Sequence, residues 1–490
     1  MDYSQFLAMK QEIGLLIVFL LVFLYDIFAP RKLVNAETGE TGACGTSVIT
    51  IALFAIFTVF GFCCGNTTEP QVVFGGMYVT TPVVSAIKNI LNIGTLIVLI
   101  QSVKWASSQN QIMRRGEFYE LLLVTLFGMF LMISARHFLL FVIGLECASL
   151  PLAAMVAFDK NRYESHEAAV KYMFTAAFSS AIFMLGISFV YGLSGSLYFT
   201  EIAQQLKEGS GLLIIAIAFV MAGIGFKLSL VPFHLWTADV YQGAPTTVTS
   251  YLSVISKGAT AFAFMAVMVQ AFGMFYDQVW EWMLYALIIV TITIGNLFAM
   301  RQRNMKRFLA FSSVSQAGYI MLGIIGVNDM SLAAMMFYIL VYIFSNLAAF
   351  GVIQSIENQT GMVTIDAYKG LSKTNPKLAF TMMLAMFSLA GIPPFAGFFS
   401  KFFVFTGALN QGSVAMYVLV LIALINTIIS LYYYLLVVKA MYISTDESPV
   451  ARYKSSCPER IGMTVTVAGI IFLGIVSYFY SSILNLCHVA

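Results

Sequence analysis

Residues 226–257 read FKLSLVPFHLWTADVYQGAPTTVTSYLSVISK, and they decide how the rest of the chain is understood. The surroundings are strongly apolar, yet this stretch holds two lysines, a histidine, an aspartate and two prolines. Pro232 stands five residues after Lys227. A proline inside a helix removes a backbone hydrogen bond and collides with the carbonyl one turn earlier. At membrane depth such an interruption persists only where protein encloses it or where it lines a wet cavity. The stretch therefore predicts a discontinuous helix with a lysine at its break. Lys257 follows near the middle of the next apolar segment. An ammonium at mid-bilayer costs about 2.5–3.5 kcal/mol even on lenient insertion scales, which makes a working role its default reading.

The apolar character extends over the whole chain. Of 490 residues, 60% are hydrophobic and 10% charged, and the mean hydropathy is +0.88. This is the composition of an all-α polytopic membrane protein, and no polar block is long enough to form a soluble domain. The net charge of +3 gives no sign of a nucleic-acid partner. The six cysteines show no C-x-x-C spacing, so neither disulfides nor iron–sulfur ligation is inferred. No basic n-region precedes the first apolar segment, which is expected to remain uncleaved. There is no Walker loop, no G-x-G-x-x-G ahead of a helix, no metal-ligand cluster and no haem-spaced histidine pair. The chain is accordingly expected to bind no metal and no redox centre of its own, with energy supplied by an ion gradient or a partner.

At about 20 apolar residues per crossing, fourteen transmembrane helices are expected, beginning with 12–29 and ending with 461–486. The seventh (211–238) and twelfth (376–407) are overlong and interrupted, by Pro232 and by Pro393 and Pro394. With the N-terminus outside, the inner loops hold seventeen basic residues, among them Arg31, Lys32, Arg301, Arg303, Lys306 and Arg307. Only Lys10, Arg136 and Lys207 fall outside. The positive-inside rule then places both termini on the outer side. Each interrupted segment is the fourth of five consecutive spans, and an odd number of crossings separates the two units. They are read as two inverted five-helix repeats, each with one discontinuous helix, a plan in which the breaks mark the transport site. The expected divisions are an N-terminal three-helix segment (1–110), a first repeat (111–275), a second (276–445) and a C-terminal helix (446–490).

Four ionisable residues fall deep within spans: Glu146, Lys227, Lys257 and Lys401. Desolvation disfavours the charged form of each, whereas a nearby opposite charge restores it. A lysine whose carboxylate partner comes and goes can therefore take up and release a proton. The alternative is a static buried salt bridge that holds helices together. One glutamate and three lysines on four helices, two of them broken, favour the relay. Glu167 and Lys171 lie four apart and share a helix face. Two readings stand for them, an interfacial ion pair with a snorkelling lysine or an accessory relay. His234, just past the break, either passes protons or satisfies frayed backbone. Arg301 to Arg307 and Asp239 are placed at membrane surfaces, where charge is cheap.

Three motifs carry a family resemblance. Residues 223–257 (GIGFKLSLVPFHLWTADVYQGAPTTVTSYLSVISK) resemble the core signature of the antiporter-like subunits of respiratory complex I and of multisubunit cation/proton antiporters. Residues 305–323 (MKRFLAFSSVSQAGYIMLG) and 389–402 (LAGIPPFAGFFSKF) resemble two further motifs of the same family. The wording VYQGAP is most similar to the complex I branch. The resemblance implies a fourteen-helix proton-translocating subunit of the membrane arm, beside other antiporter-like subunits and lipid, in a bacterial inner membrane rather than an organellar one. It implies that FMN, iron–sulfur clusters, NADH and quinone are bound by partner subunits. It also implies Glu146 and Lys227 as a coupling pair, Lys257 as central relay and Lys401 on the exit side. Ala238 replaces a frequent family proline, and Phe311 a common tyrosine, which removes any hydroxyl role there. Competing readings are a sodium/proton antiporter subunit, a non-transporting spacer and, less favoured, a solitary solute carrier.

Overall fold

A computed structural model describes residues 3–28, 45–67, 69–108, 114–206, 211–444, 449–476 and 478–489. Arg31, Lys32 and Lys207 lie outside the described residues. The N-terminal segment contains α1 (Lys10–Phe28), α2 (Gly45–Cys63) and α3 (Pro82–Ala106). A short antiparallel hairpin, β1 (Gln71–Val73) and β2 (Tyr78–Thr80), joins α2 to α3. Then follow α4 (Arg115–Ser134), α5 (Phe138–Val156), α6 (Tyr163–Ser194), α7 (Phe199–Gln205), α8 (Gly211–Leu228) and α9 (Leu235–Gly243). A single wide turn, Leu252–Ser256, links α10 (Thr246–Tyr251) to α11 (Lys257–Phe272). The second half comprises α12 (Glu281–Ala299), α13 (Met305–Ile325), α14 (Asp329–Thr360), α15 (Leu371–Thr374), α16 (Pro376–Ala390), α17 (Ala396–Leu409) and α18 (Val414–Tyr442). The chain closes with α19 (Cys457–Ile475) and α20 (Tyr478–Val489).

Among the described residues thirteen helices are long and apolar enough to cross a membrane, α10 and α11 counting as one. The shorter α16 and α17 supply the twelfth crossing between them, in agreement with fourteen spans. One boundary differs from expectation. The stretch 461–486 is not a single helix, because the chain turns at Val476 and α20 starts afresh at Tyr478. Its 12 residues span about 18 Å, too short for a crossing. Hydropathy is uniform through the turn and does not reveal it.

Local chemistry explains where helices start and stop. Thr81 accepts from Val84 N ahead of Pro82 at the first turn of α3, and Asn304 accepts from Lys306 N and Arg307 N at the start of α13. These caps satisfy amide groups that have no partner within the helix. Ser456 and Glu459 form a reciprocal capping box on α19. The two predicted breaks are present. After Leu228 the chain is non-helical to His234, with Ser229 at φ 61°, and after Ala390 Gly391 turns at φ 86° before α17 begins. The Val231–Pro232 and Pro393–Pro394 peptides are cis.

The interior is built around α13 and α14, whose apolar stretches are wholly enclosed, with α10–α11 nearly so. Helices α1, α6 and α18 leave broad apolar faces outward, as lipid-facing helices do. Helix α5 lies tight on α4 because Gly128 and Gly144 face each other's backbone. A Cβ at Gly128 would lie 2.4 Å from Ala148 N, and one at Gly144 2.6 Å from Met132 N. That contact sets the position of Glu146 and Ser149.

Candidate functional site

The first break frees backbone groups, and neighbouring residues take them up. Leu230 N donates to Gly225 O at 2.8 Å, Val231 N to Thr291 Oγ1 at 3.0 Å, and Trp236 Nε1 to Phe226 O at 3.1 Å. Lys227, on the last turn of α8, is buried and donates from Nζ to Ser149 Oγ at 2.6 Å. The rings of Tyr172 and Phe226 lie 5.8 and 5.7 Å from the ammonium. Glu146 precedes Ser149 by three residues on α5 and is close enough to act on Lys227 electrostatically. The two make no ion pair, and Glu146 Oε1 is buried without a hydrogen-bond partner. Glu146 and Lys227, the expected coupling pair, thus make no direct contact, and Ser149 on the same helix takes the lysine's hydrogen bond.

Lys257 stands where the wide turn ends and α11 begins. Its Nζ donates to Ser313 Oγ on α13 at 2.8 Å and lies 5.6 Å from the ring of Tyr241. Lys401, on α17, reaches back across the second break to Leu389 O at 3.0 Å and Ala390 O at 3.1 Å. These are the last carbonyls of α16, the negative end of its dipole, where a cation is favoured. Gly391 is required here, since a Cβ would stand 3.1 Å from Lys401 Cδ at a φ that L side chains avoid. Among the described residues no carboxylate pairs with Lys227, Lys257 or Lys401. No direct ion pair is therefore made at any of the three positions, and Glu146 acts on Lys227 only through space.

Between Lys257 and Lys401 runs a polar column that sequence reasoning did not pick out. Ser313 and Gln316 share a face of α13. Gln316 Nε2 donates to Leu389 O at 3.4 Å, the same carbonyl that Lys401 holds, and to Tyr434 OH at 3.1 Å. Tyr338 donates to Gln316 Oε1, Tyr434 bonds Ser312, and Ser345 bonds Ser388 at 2.7 Å. A void of about 10 Å³ lies among Gln316, Tyr338, Tyr342, Ser345, Ser388 and Lys401, near the lower limit for one water. The run Ser312, Ser313, Ser315, Gln316 within an apolar span was the available signal. Towards Lys227 the contacts are aromatic instead. Tyr172 and Tyr241 both abut Trp236, and the buried Tyr241 hydroxyl, though without a close hydrogen bond, lies near Ser313, the serine that holds Lys257.

The accessory residues separate. Lys171 Nζ binds Glu167 Oε1 at 2.7 Å and Asp239 Oδ2 at 2.6 Å, and Arg307 binds Asp239 Oδ1 at 2.7 Å. These residues line a cavity of about 220 Å³, which extends the predicted Glu167–Lys171 pair into a four-residue network. His234 is buried against Phe298 and Phe311, and neither ring nitrogen has a hydrogen-bond partner. Its nearest backbone group is that of Pro232 in the break, so both readings of His234 stand. Lys306, within the 301–307 stretch expected at a membrane surface, is enclosed by protein, donating to Ala244 O at 2.8 Å and lying 3.4 Å from Glu357 Oε1. Its place at the start of α13 points it into the GAP turn, where a carbonyl is free. A further buried pair was missed, Glu12 with Lys88 at 2.6 Å, joined by Tyr78 OH at 2.9 Å from the carboxylate. Among the described residues no group of histidine, cysteine and carboxylate side chains could hold a metal.

Residues 135–430 match the family described as NADH:quinone oxidoreductase/Mrp antiporter, transmembrane. A protein of Phocaeicola vulgatus named NADH-quinone oxidoreductase subunit N is 51% identical over 481 residues, covering 98% of both chains. One of the same name from Azobacteroides pseudotrichonymphae is 48% identical over 485 residues, covering 99% of this chain and 98% of the relative. A chain of respiratory complex I from Thermus thermophilus superposes with a TM-score of 0.78 at 28% identity, over 96% of this chain and 97% of that one.

Proposed function

The chain belongs to the NADH:quinone oxidoreductase/Mrp antiporter family, and from that premise we propose that its buried lysines carry protons along the membrane. It is a multi-pass subunit of the membrane arm of a respiratory NADH-quinone oxidoreductase, the proton-translocating complex of its relatives. FMN, the iron–sulfur clusters, NADH and quinone are assigned to partner subunits, and neighbouring antiporter-like subunits flank this one. The bacterial relatives support an inner-membrane location, and the distribution of basic loops supports both termini outside. Residues 111–275 and 276–445 are taken as the two inverted repeats.

The observation that carries the proton reading is that Lys227, Lys257 and Lys401 are each buried, each beside a helix break or wide turn, and each hydrogen-bonded only to uncharged groups. A lysine so placed can lose its proton without leaving a paired carboxylate stranded in a medium where a bare charge is expensive. In this mechanism quinone reduction in a partner alters the charge or hydration beside Glu146. The carboxylate's field on Lys227 changes, and Lys227 releases its proton inward to the chain. Hydration around Tyr172 and Tyr241 carries it to Lys257. From there Ser313, Gln316 and the small void lead to Lys401. Moving one charge across the membrane potential involves about 2.3 kcal/mol per 100 mV, so the driving change must be larger than a single weak contact.

Lys257→Met keeps the bulk and removes the titrating group. In sealed vesicles it is expected to lose NADH-driven proton uptake while the complex still assembles. Loss of assembly with unchanged transport per assembled complex would instead mark Lys257 as structural.

A further inference from the structure

We propose that the inner-side cleft between α16 and α19 is a binding site for an anionic phospholipid. Its headgroup compartment is a cavity of about 750 Å³ lined by Lys377, Arg452, Lys454 and Arg460. Among the described residues none of the four is ion-paired. Glu459, next to Arg460 in sequence, is turned into the protein. It accepts from Ser456 N at 2.9 Å and Asn358 Nδ2 at 3.1 Å, and lies 3.8 Å from Lys104 Nζ. Among the described residues the cleft is thus lined by four unneutralised cations and no carboxylate.

The backbone adds to this charge. Helices α16 and α19 both begin at the cleft, so the positive ends of two dipoles meet there. Asn375, at the start of α16, makes no side-chain cap to its own helix. Its side chain donates to Ala451 O at 3.1 Å and accepts from Tyr453 N at 3.2 Å, which fixes the extended segment that carries Arg452 and Lys454 over the helix end. The cradle is therefore held in place by hydrogen bonds to its backbone.

A second cavity of about 330 Å³ continues from the first, sharing Lys377, Thr381 and Met463 and running on to Phe380 and Val467. Seven residues separate Arg460 from Val467, about 10 Å along α19, a depth that lies within one leaflet of a hydrocarbon core about 30 Å thick. Cations at the membrane surface and an apolar groove descending beside them match the two ends of a phospholipid. Basic pockets between transmembrane helices on the inner side have this chemistry. A soluble phosphate would use only the upper part. An acidic peptide would have no use for a groove that faces acyl chains. Occupancy would steady α16, whose far end offers Lys401 its two carbonyls, but the binding claim stands apart from the proton reading.

The test uses the intact complex purified in neutral detergent, with phospholipid retained per complex counted by mass spectrometry. Phosphatidylglycerol affinity is then measured in discs of phosphatidylcholine with and without it. The variant Lys377→Gln/Arg452→Gln/Arg460→Gln removes three charges. At about fivefold per basic residue, it is expected to weaken phosphatidylglycerol binding about 100-fold. Val467→Trp leaves the charges and fills the groove, and is expected to displace the lipid as well. Retention unchanged in both variants would overturn the proposal. Full displacement by inorganic phosphate, with Val467→Trp without effect, would show a free-anion site instead. Photocrosslinking from Lys454 to a neighbouring subunit rather than to lipid would also overturn it.

Discussion

Gln316→Met tests the polar column most directly. The substitution preserves length and apolar bulk while removing both the amide donor and the acceptor. In the structure that amide donates to Leu389 O and Tyr434 OH and accepts from Tyr338. Tyr434 keeps Ser312, so one hydroxyl, that of Tyr338, loses its partner. An orphaned buried hydroxyl costs about 1–3 kcal/mol, which a folded subunit tolerates. The effect on transport should be larger than the effect on assembly. A proton passing the void beside Lys401 loses one hydrogen bond to a charged group, worth about 1.5–3 kcal/mol. Added to the barrier, that slows the step about 10- to 150-fold at 1.36 kcal/mol per decade. The assay is NADH-driven proton uptake in sealed vesicles, normalised to assembled complex, with quinone reductase turnover measured alongside. Both should fall together, because translocation and electron flow are coupled. Wild-type pumping by fully assembled Gln316→Met would show that protons do not pass this amide, and the column would be reduced to packing.

Other expected outcomes follow from the same contacts. Lys227→Arg retains a positive charge but cannot shed its proton in a protein, so it should assemble and pump poorly. Glu146→Gln should do likewise, and undiminished uptake by the arginine variant would remove Lys227 from the relay. Lys88→Met leaves Glu12 buried without its cation, which costs about 3–5 kcal/mol. Thermal unfolding of the purified complex should show this single variant less stable than the double variant Glu12→Leu/Lys88→Met, and equal stability would mean that the pair is not coupled. Reporter fusions should place 301–307 and 369–377 on the inner side and both termini outside, whereas a C-terminus on the inner side would contradict the fourteen-span topology.

The sequence alone determined the membrane class, the number of crossings, both breaks and the three lysines. Each of these follows from one-body energetics: an apolar run long enough to span, a proline that cannot continue a helix, an ammonium too costly to leave in lipid without purpose. The turn that separates α19 from α20 escaped, because it changes the chain's direction without changing its hydropathy. The tertiary structure decided who the lysines' partners are. Ser149 lies 78 residues from Lys227, Ser313 lies 56 from Lys257, and Gln316 meets Leu389 from 73 residues away. It also showed Glu146 without a hydrogen-bonded partner for Oε1, Lys306 enclosed by protein, and Glu12 paired with Lys88. Serines and a glutamine within apolar spans have no strong individual preference that marks them in the sequence. Their role depends on which helix faces meet, and close approaches such as Gly128 on Gly144 settle that only when the whole bundle is packed.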